Sequence, residues 1–266
     1  MSLESVLRKA SLTPKDIVVL EPDIIAERLH QKAGIQKDRL PGMISNLFES
    51  TISSDRFEEA IPPGLAEGTV DCLKVLLTAR FANKIGKAPT IAEIAKFSGL
   101  SRNFVSPCVR FLENVDLVKT KQHMRGQLVN PTRLTTRYID VISGSLRNEC
   151  NILRDVAAEA KRGELSSESL QFLDDLETAF HISKLAHNKT TVNYEIMEDL
   201  HDKVRSLVVK AKEGKNAELM NNLNELIDLL EHMISVTERA KKMGVRPAIL
   251  EETGEKLGRA RVFRVK

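Results

Sequence analysis

"TIAEIAKFSGLSRNFVSPCVRFLENVDLV" (Thr90–Val118) reads as a short helix, a tight turn, a second helix and the start of a strand. Two helices joined through so few residues must cross steeply. That crossing needs a small residue where the helices touch, Gly where the chain turns, and apolar residues where the second helix meets the core. Ala95 is the small residue, Gly99 follows at the turn, and Val105 and Cys108 come next on one helical face. Ile94 and Leu100 fill the remaining core positions, and Thr90 and Ser101 stand where helix N-caps belong. The stretch therefore predicts a helix-turn-helix whose second helix runs over Ser101–Leu112.

Working outward, "TVDCLKVLLTARFANKIG" (Thr69–Gly86) places Leu73, Leu76, Leu77 and Phe81 on a helical stripe closed by Gly86. Downstream, "DLVKTKQ" and "QLVNPTRLT" flank "HMRG", which reads as two short strands around a Gly-bearing turn. A helix-turn-helix followed by a two-stranded hairpin predicts a winged helix, bounded at 67–137. On these residues the chain resembles the winged-helix regulators of the MarR type. The shared pattern is Leu100-Ser101, Val105, Val109, Leu112-Glu113, Leu117-Val118, a wing at His123–Gln127, and Leu134-Thr135 opening the next helix. The chain carries Asp116 where the family pattern has Gly, Pro107 inside the second helix, and Arg137-Tyr138 where a Gly follows "LT". The resemblance covers about residues 69–145 and implies a fold that binds double-stranded DNA.

With Val105, Cys108, Val109 and Leu112 turned inward, Ser101, Arg102, Asn103, Ser106 and Arg110 face outward. Arg pairs bidentately with guanine and Asn with adenine. Ser and a helix N-terminus suit phosphate. Lys119, Lys121 and Arg125 line the wing, with Arg125 the candidate for a minor-groove or phosphate contact. Arg133 and Arg137 are candidate phosphate contacts at the hairpin base.

Charge supports the same location. The 266 residues have a net charge of only +3. Residues 69–145 hold 12 Lys and Arg against 5 Asp and Glu, net +7, whereas 1–68 carry net −3 and 146–266 net −1. Such clustering is the electrostatic footprint of a nucleic-acid site. The alternative is a set of ordinary solvated charges on a winged helix used for protein contacts.

The flanks read as helical, so the expected fold class is mainly α: N-terminal helices over 1–66, the winged helix, and a helical bundle over 138–266. Aromatics are only 4% and Trp is absent, leaving Leu, Ile, Val and Ala to fill the core. Pro62-Pro63 marks a boundary, because two consecutive prolines cannot continue a helix. The spacing predicts one long helix from Thr135 to Arg162, about 40 Å. Leu219, Leu223, Leu226, Leu230 and Met233 recur in a 4-3-4-3 spacing. That stripe suits an intrachain core or a homodimer seam. The basic end, Gly258–Lys266, reads as a frayed terminus, an edge strand or a tail on DNA.

Enzyme chemistry finds no purchase. There is no phosphate-cradling loop and no G-x-S-x-G. Glu198–His201 has Glu-x-x-His spacing, but a carboxylate-bridged metal site needs a matching motif facing it. Glu27–His30 is the other instance, far away in sequence. Three scattered Cys (72, 108, 150) form neither a disulfide framework nor a zinc knuckle. No metal and no cofactor is expected. No apolar run reaches the roughly 18 residues of a membrane span, and "MSLESVLRKASL" lacks a signal-peptide core, so the expected location is cytoplasmic, at the nucleoid. The expected function is a sequence-specific DNA-binding transcriptional regulator. It would act as a homodimer through its C-terminal helices, whose bundle could also take an effector or protein partner. Alternatives are a chromosome- or plasmid-maintenance protein and an interaction-only subunit of a complex.

Overall fold

Three prolines start helices in the N-terminal segment, each in a first turn where its missing N–H leaves no helical bond unmade. They open α2 (Pro14–Val19), α3 (Pro22–Ala33) and α4 (Leu40–Ile52), with α1 (Leu3–Ala10) before them and α5 (Arg56–Ala60) after. Thr13 and Asp16 close a reciprocal capping box on α2. These observations come from a computed structural model that describes residues 3–242. The basic Gly258–Lys266 stretch lies outside the described residues.

The next elements are α6 (Thr69–Lys84), α7 (Ile91–Ser98), α8 (Arg102–Asn114), then β1 (Val118–His123) and β2 (Gly126–Pro131), which pair antiparallel. Helix α9 (Arg133–Ser143) follows. The rest is α10 (Arg147–Arg162), α11 (Ser167–Ala186), α12 (Val192–Lys212) and α13 (Asn216–Lys242). The described chain is mainly helical with one small antiparallel sheet. None of its helices is long and apolar enough to cross a membrane.

The chain divides into two compact units. One takes in the chain up to Pro62 together with Glu67–Thr135; the other takes in Pro63–Ala66 and the chain from Thr136 onward. The sequence marked a boundary at 66–67, yet the N-terminal helices share a core with α6 and α7. Phe48 of α4 stacks on Phe81 of α6 at 4.0 Å between ring centroids, and Phe97 of α7 lies 6.0 and 6.2 Å from the two. Arg80 of α6 is buried, donating to the Val19 carbonyl at 3.0 Å and to Glu21 at 2.7 Å. Carving 1–66 away would expose both contacts.

In the second unit the expected long helix is two helices. Gly144 takes a left-handed conformation (φ +68°), which ends α9 and lets α10 start afresh. The Leu219–Met233 stripe is buried within the single chain, at 0–6% exposure. Those residues face α10 and α12, which pack against α13. A homodimer seam built from that stripe is thereby corrected: its apolar surface is already covered. Residues Pro63–Ala66 are strapped onto the α11–α12 connection. Ala66 N–H donates to the Ala186 carbonyl and Asn188 N–H to the Gly64 carbonyl, both at 2.9 Å. The Asn193 amide donates to the Pro63 carbonyl. Gly64 has φ +77°, and a Cβ there would meet Thr191 Cγ2 at 3.0 Å, so both space and backbone demand Gly.

Candidate nucleic-acid interface

Thr90 caps α7 as expected, and does so reciprocally. Its hydroxyl accepts from Glu93 N–H at 3.2 Å, while Glu93 Oε2 accepts from Thr90 N–H at 2.8 Å. Lys87 reaches the other Glu93 oxygen. The Lys87 hydrogen bond first, then the Thr90 N–H, hold the Glu93 carboxyl at about 2, against 4.5 for an unperturbed glutamate. Gly99 (φ +74°) turns the chain into α8. Ser101 occupies the N-cap position of α8, but its hydroxyl makes no capping bond. The expected side-chain cap is therefore absent, and the first turn of α8 keeps its outward donors.

Val105, Cys108, Val109 and Leu112 are buried, as the helix-turn-helix reading requires. Ser101, Arg102, Asn103 and Arg110 are exposed and Ser106 is half-buried. Pro107 sits on the exposed side, and the helix runs through it from Arg102 to Asn114. Because it faces out, the carbonyl it leaves without a helical N–H is not sealed in the core.

Helix and hairpin are fastened together. Glu113 of α8 accepts from the Thr120 N–H at 3.0 Å and the Thr120 hydroxyl at 2.6 Å. Those two bonds hold the Glu113 carboxyl below the usual range. On the other strand, Val129 N–H donates to the Pro89 carbonyl at 2.9 Å, and Thr90 bridges to Leu128. The segment before α7 thus adds a short third rung beside β2. The base of the hairpin is pinned to α9: Thr132 Oγ1 donates to the Asp116 carbonyl at 2.6 Å, and Thr135 Oγ1 donates to the Leu117 carbonyl. Asp116 has φ +58°, the left-handed conformation for which the family pattern supplies Gly.

On β1, Lys119 and Lys121 alternate onto one face, opposite Asn130 and Leu128. The turn presents Met124 and Arg125 to solvent. Lys119, Lys121 and Arg125 are exposed. Among the described residues, no carboxylate pairs with Arg102, Arg110, Lys119, Lys121 or Arg125. Arg133 is exposed at the start of α9. Arg137 stands apart from the other expected contacts. It falls in the second unit, where its guanidinium pairs with Glu149 Oε2 at 2.5 Å and lies 4.5 Å over the Phe172 ring. Glu149 is fully buried, and burial pushes its carboxyl up. A guanidinium held this way is engaged by a core carboxylate and an aromatic ring.

Three exposed apolar side chains escaped the sequence reading: Phe104 at 61%, Phe111 at 50% and Met124 at 99% exposure. Their signal was present. Phe104 and Phe111 lie off the Val105–Cys108–Val109–Leu112 stripe, which the 3.6-residue period alone reveals. Beneath α8, the Cys72 thiol of α6 neighbours that of Cys108; this neighbour first, then burial, raises Cys72.

Other candidate chemistry finds no assembled site. Among the described residues no group of three His, Cys, Asp or Glu is placed to hold a metal ion. Glu27–His30 and Glu198–His201 belong to different units. His201 lies instead beside His181, with ring centroids 5.0 Å apart. In the helical unit, Asp199, Asp202, Lys203, Glu225 and Leu226 are among the residues that line an open cleft of about 480 Å³. No protein-family model, no curated protein and no solved structure matches this chain.

Proposed function

We propose that the segment from α6 to β2 is a winged helix and that the protein is a sequence-specific regulator binding double-stranded DNA. The observation that carries this reading is a set of exposed cations on α8 and on the hairpin latched to it. It holds Arg102, Arg110, Lys119, Lys121 and Arg125 without carboxylate partners, beside Asn103. Five cations without carboxylate partners on a helix and its latched hairpin suit a polyanionic backbone. Arg102 and Asn103 supply donors for base edges, and Ser101 supplies a hydroxyl at the helix N-terminus.

One such module covers little DNA, so specificity calls for two copies on a two-fold site. The dimer contact must lie outside the Leu219–Met233 stripe. An interaction-only module is the competing reading, and exposed Phe104 and Phe111 favour it.

Fluorescence anisotropy across a salt series decides between them. The full chain would be titrated with a random duplex and with genomic fragments around its own gene. The expected result is a preferred fragment with log Kd rising steeply in log salt, by about 0.9 per phosphate neutralised. Arg102→Ala should then cost about 1–3 kcal/mol on the preferred fragment and little on random duplex. A weak, salt-insensitive response on all DNA would overturn the proposal. Spreading footprints in place of one short palindrome would assign the same domain to chromosome or plasmid maintenance.

A further inference from the structure

We propose that Phe104 and Phe111 read thymine methyl groups in the DNA major groove, an inference that rests on the DNA-binding reading above. Both rings are more exposed than large apolar side chains normally are, at 61% and 50%. At 100° per residue, positions 104, 107 and 111 fall along one edge of α8, so exposed Pro107 lies between the two rings. The opposite edge carries Arg102, Ser106 and Glu113, and Glu113 is bonded to the hairpin. The outermost stripe between the edges holds Asn103, Arg110 and Asn114. Helix α8 therefore presents polar donors at its centre and hairpin side, and an aromatic ledge along the remaining side.

A protein partner for this ledge would have to tolerate the unpaired Arg110 on the neighbouring stripe, with Arg102 on the far edge of the same helix and the cations of the hairpin latched to that edge. The major groove fits both features at once. Its walls are anionic, and the C5-methyl of thymine is its one apolar group, for which Phe is a suitable contact. Seven residues of α-helix separate the rings by about 10 Å along the axis, or about three base-pair steps at 3.4 Å. The preferred site should thus carry thymines about three base pairs apart on the side of the groove facing the ledge.

The test starts with a random duplex pool from which the full-length protein selects its preferred sequence. That duplex is then made with thymine and with deoxyuridine, which lacks only the methyl group, at each position in turn. Wild-type protein should bind about three- to fivefold more weakly for each contacted methyl removed, the worth of one buried methyl group. Phe104→Ala and Phe111→Ala should each lose the discrimination at one of the two positions, with the salt slope unchanged. Both side chains are exposed, so thermal melting should show the variants folded as wild type.

Equal binding of thymine and uracil duplexes, or discrimination retained by both variants, overturns this inference while leaving DNA binding intact. So does a selected site without thymines. Failure of the full chain to bind any duplex in a salt-dependent way overturns both readings and leaves the ledge to a protein partner.

Discussion

At Asp116 the backbone holds a left-handed conformation that costs an L-residue free energy and Gly almost none. Its side chain stands in solvent while its carbonyl accepts from Thr132. Asp116→Gly should therefore leave the melting temperature unchanged or raise stability by up to about 1 kcal/mol, net of the chain entropy Gly adds to the unfolded state. Asp116→Val, β-branched at the same φ, should lower stability by about 1–2 kcal/mol; chemical denaturation reads both. The residue scale also separates Arg137 from the other predicted contacts. Arg137→Ala strands the buried Glu149 carboxyl, and removing one partner of a buried pair costs about 3–5 kcal/mol. Denaturation should show that loss. The folded variant should keep the wild-type salt slope on DNA, whereas a reduced slope would return Arg137 to the phosphate contacts. Sequence could not distinguish Arg133 from Arg137, since both follow the hairpin at the head of a helix. Only folding α9 against α10 and α11 shows that one of them meets a buried carboxylate.

At the scale of elements, α7 owes its start to a carboxylate that must stay ionised. Glu93 titrates at about 2 in the folded chain and near 4.5 once unfolded, so the folded state holds its proton less tightly. The stability it contributes is fully present above pH 4.5 and is lost as pH falls toward 2. Glu93→Gln should flatten that part of the acid-unfolding profile; an unchanged profile would mean the capping box does not form in solution. This box was half legible, because Thr90 three residues before Glu93 is its signature. The two helices and the turn between them were legible: Ala95, Gly99 and the inward stripe of α8 are local, and local sequence dictates them, although the expected Ser101 cap did not form. The latch from Glu113 to Thr120 and the rung from Pro89 to Val129 join separate segments, which periodicity does not report. Phe104 and Phe111 were passed over for a different reason: a large apolar side chain is assigned to the core unless its phase is checked. At Gly144, one residue's φ outweighed an apolar spacing that continued across it.

For the whole molecule, charge and hydropathy along the chain located the basic region but not the division into units. The apolar spacing of the N-terminal helices says that they bury a face, not which helix covers it; Phe48 and Phe81, 33 positions apart, answer that. The 4-3-4-3 stripe of α13 likewise suited either a second copy or its own chain, and packing against α10 and α12 decided for the latter. The strap at Pro63–Ala66 bears on how this protein can be dissected. The polypeptide leaves the first unit after Pro62, returns at Glu67, and leaves again after Thr135. Neither unit is therefore a contiguous stretch of gene. A fragment beginning at Glu67 loses the N-terminal half of one core, and one beginning at Thr136 leaves Ala186 and Asn188 without their backbone partners. The units are interwoven in the reading frame, so neither can be excised, fused to a reporter or exchanged as a cassette by a single cut.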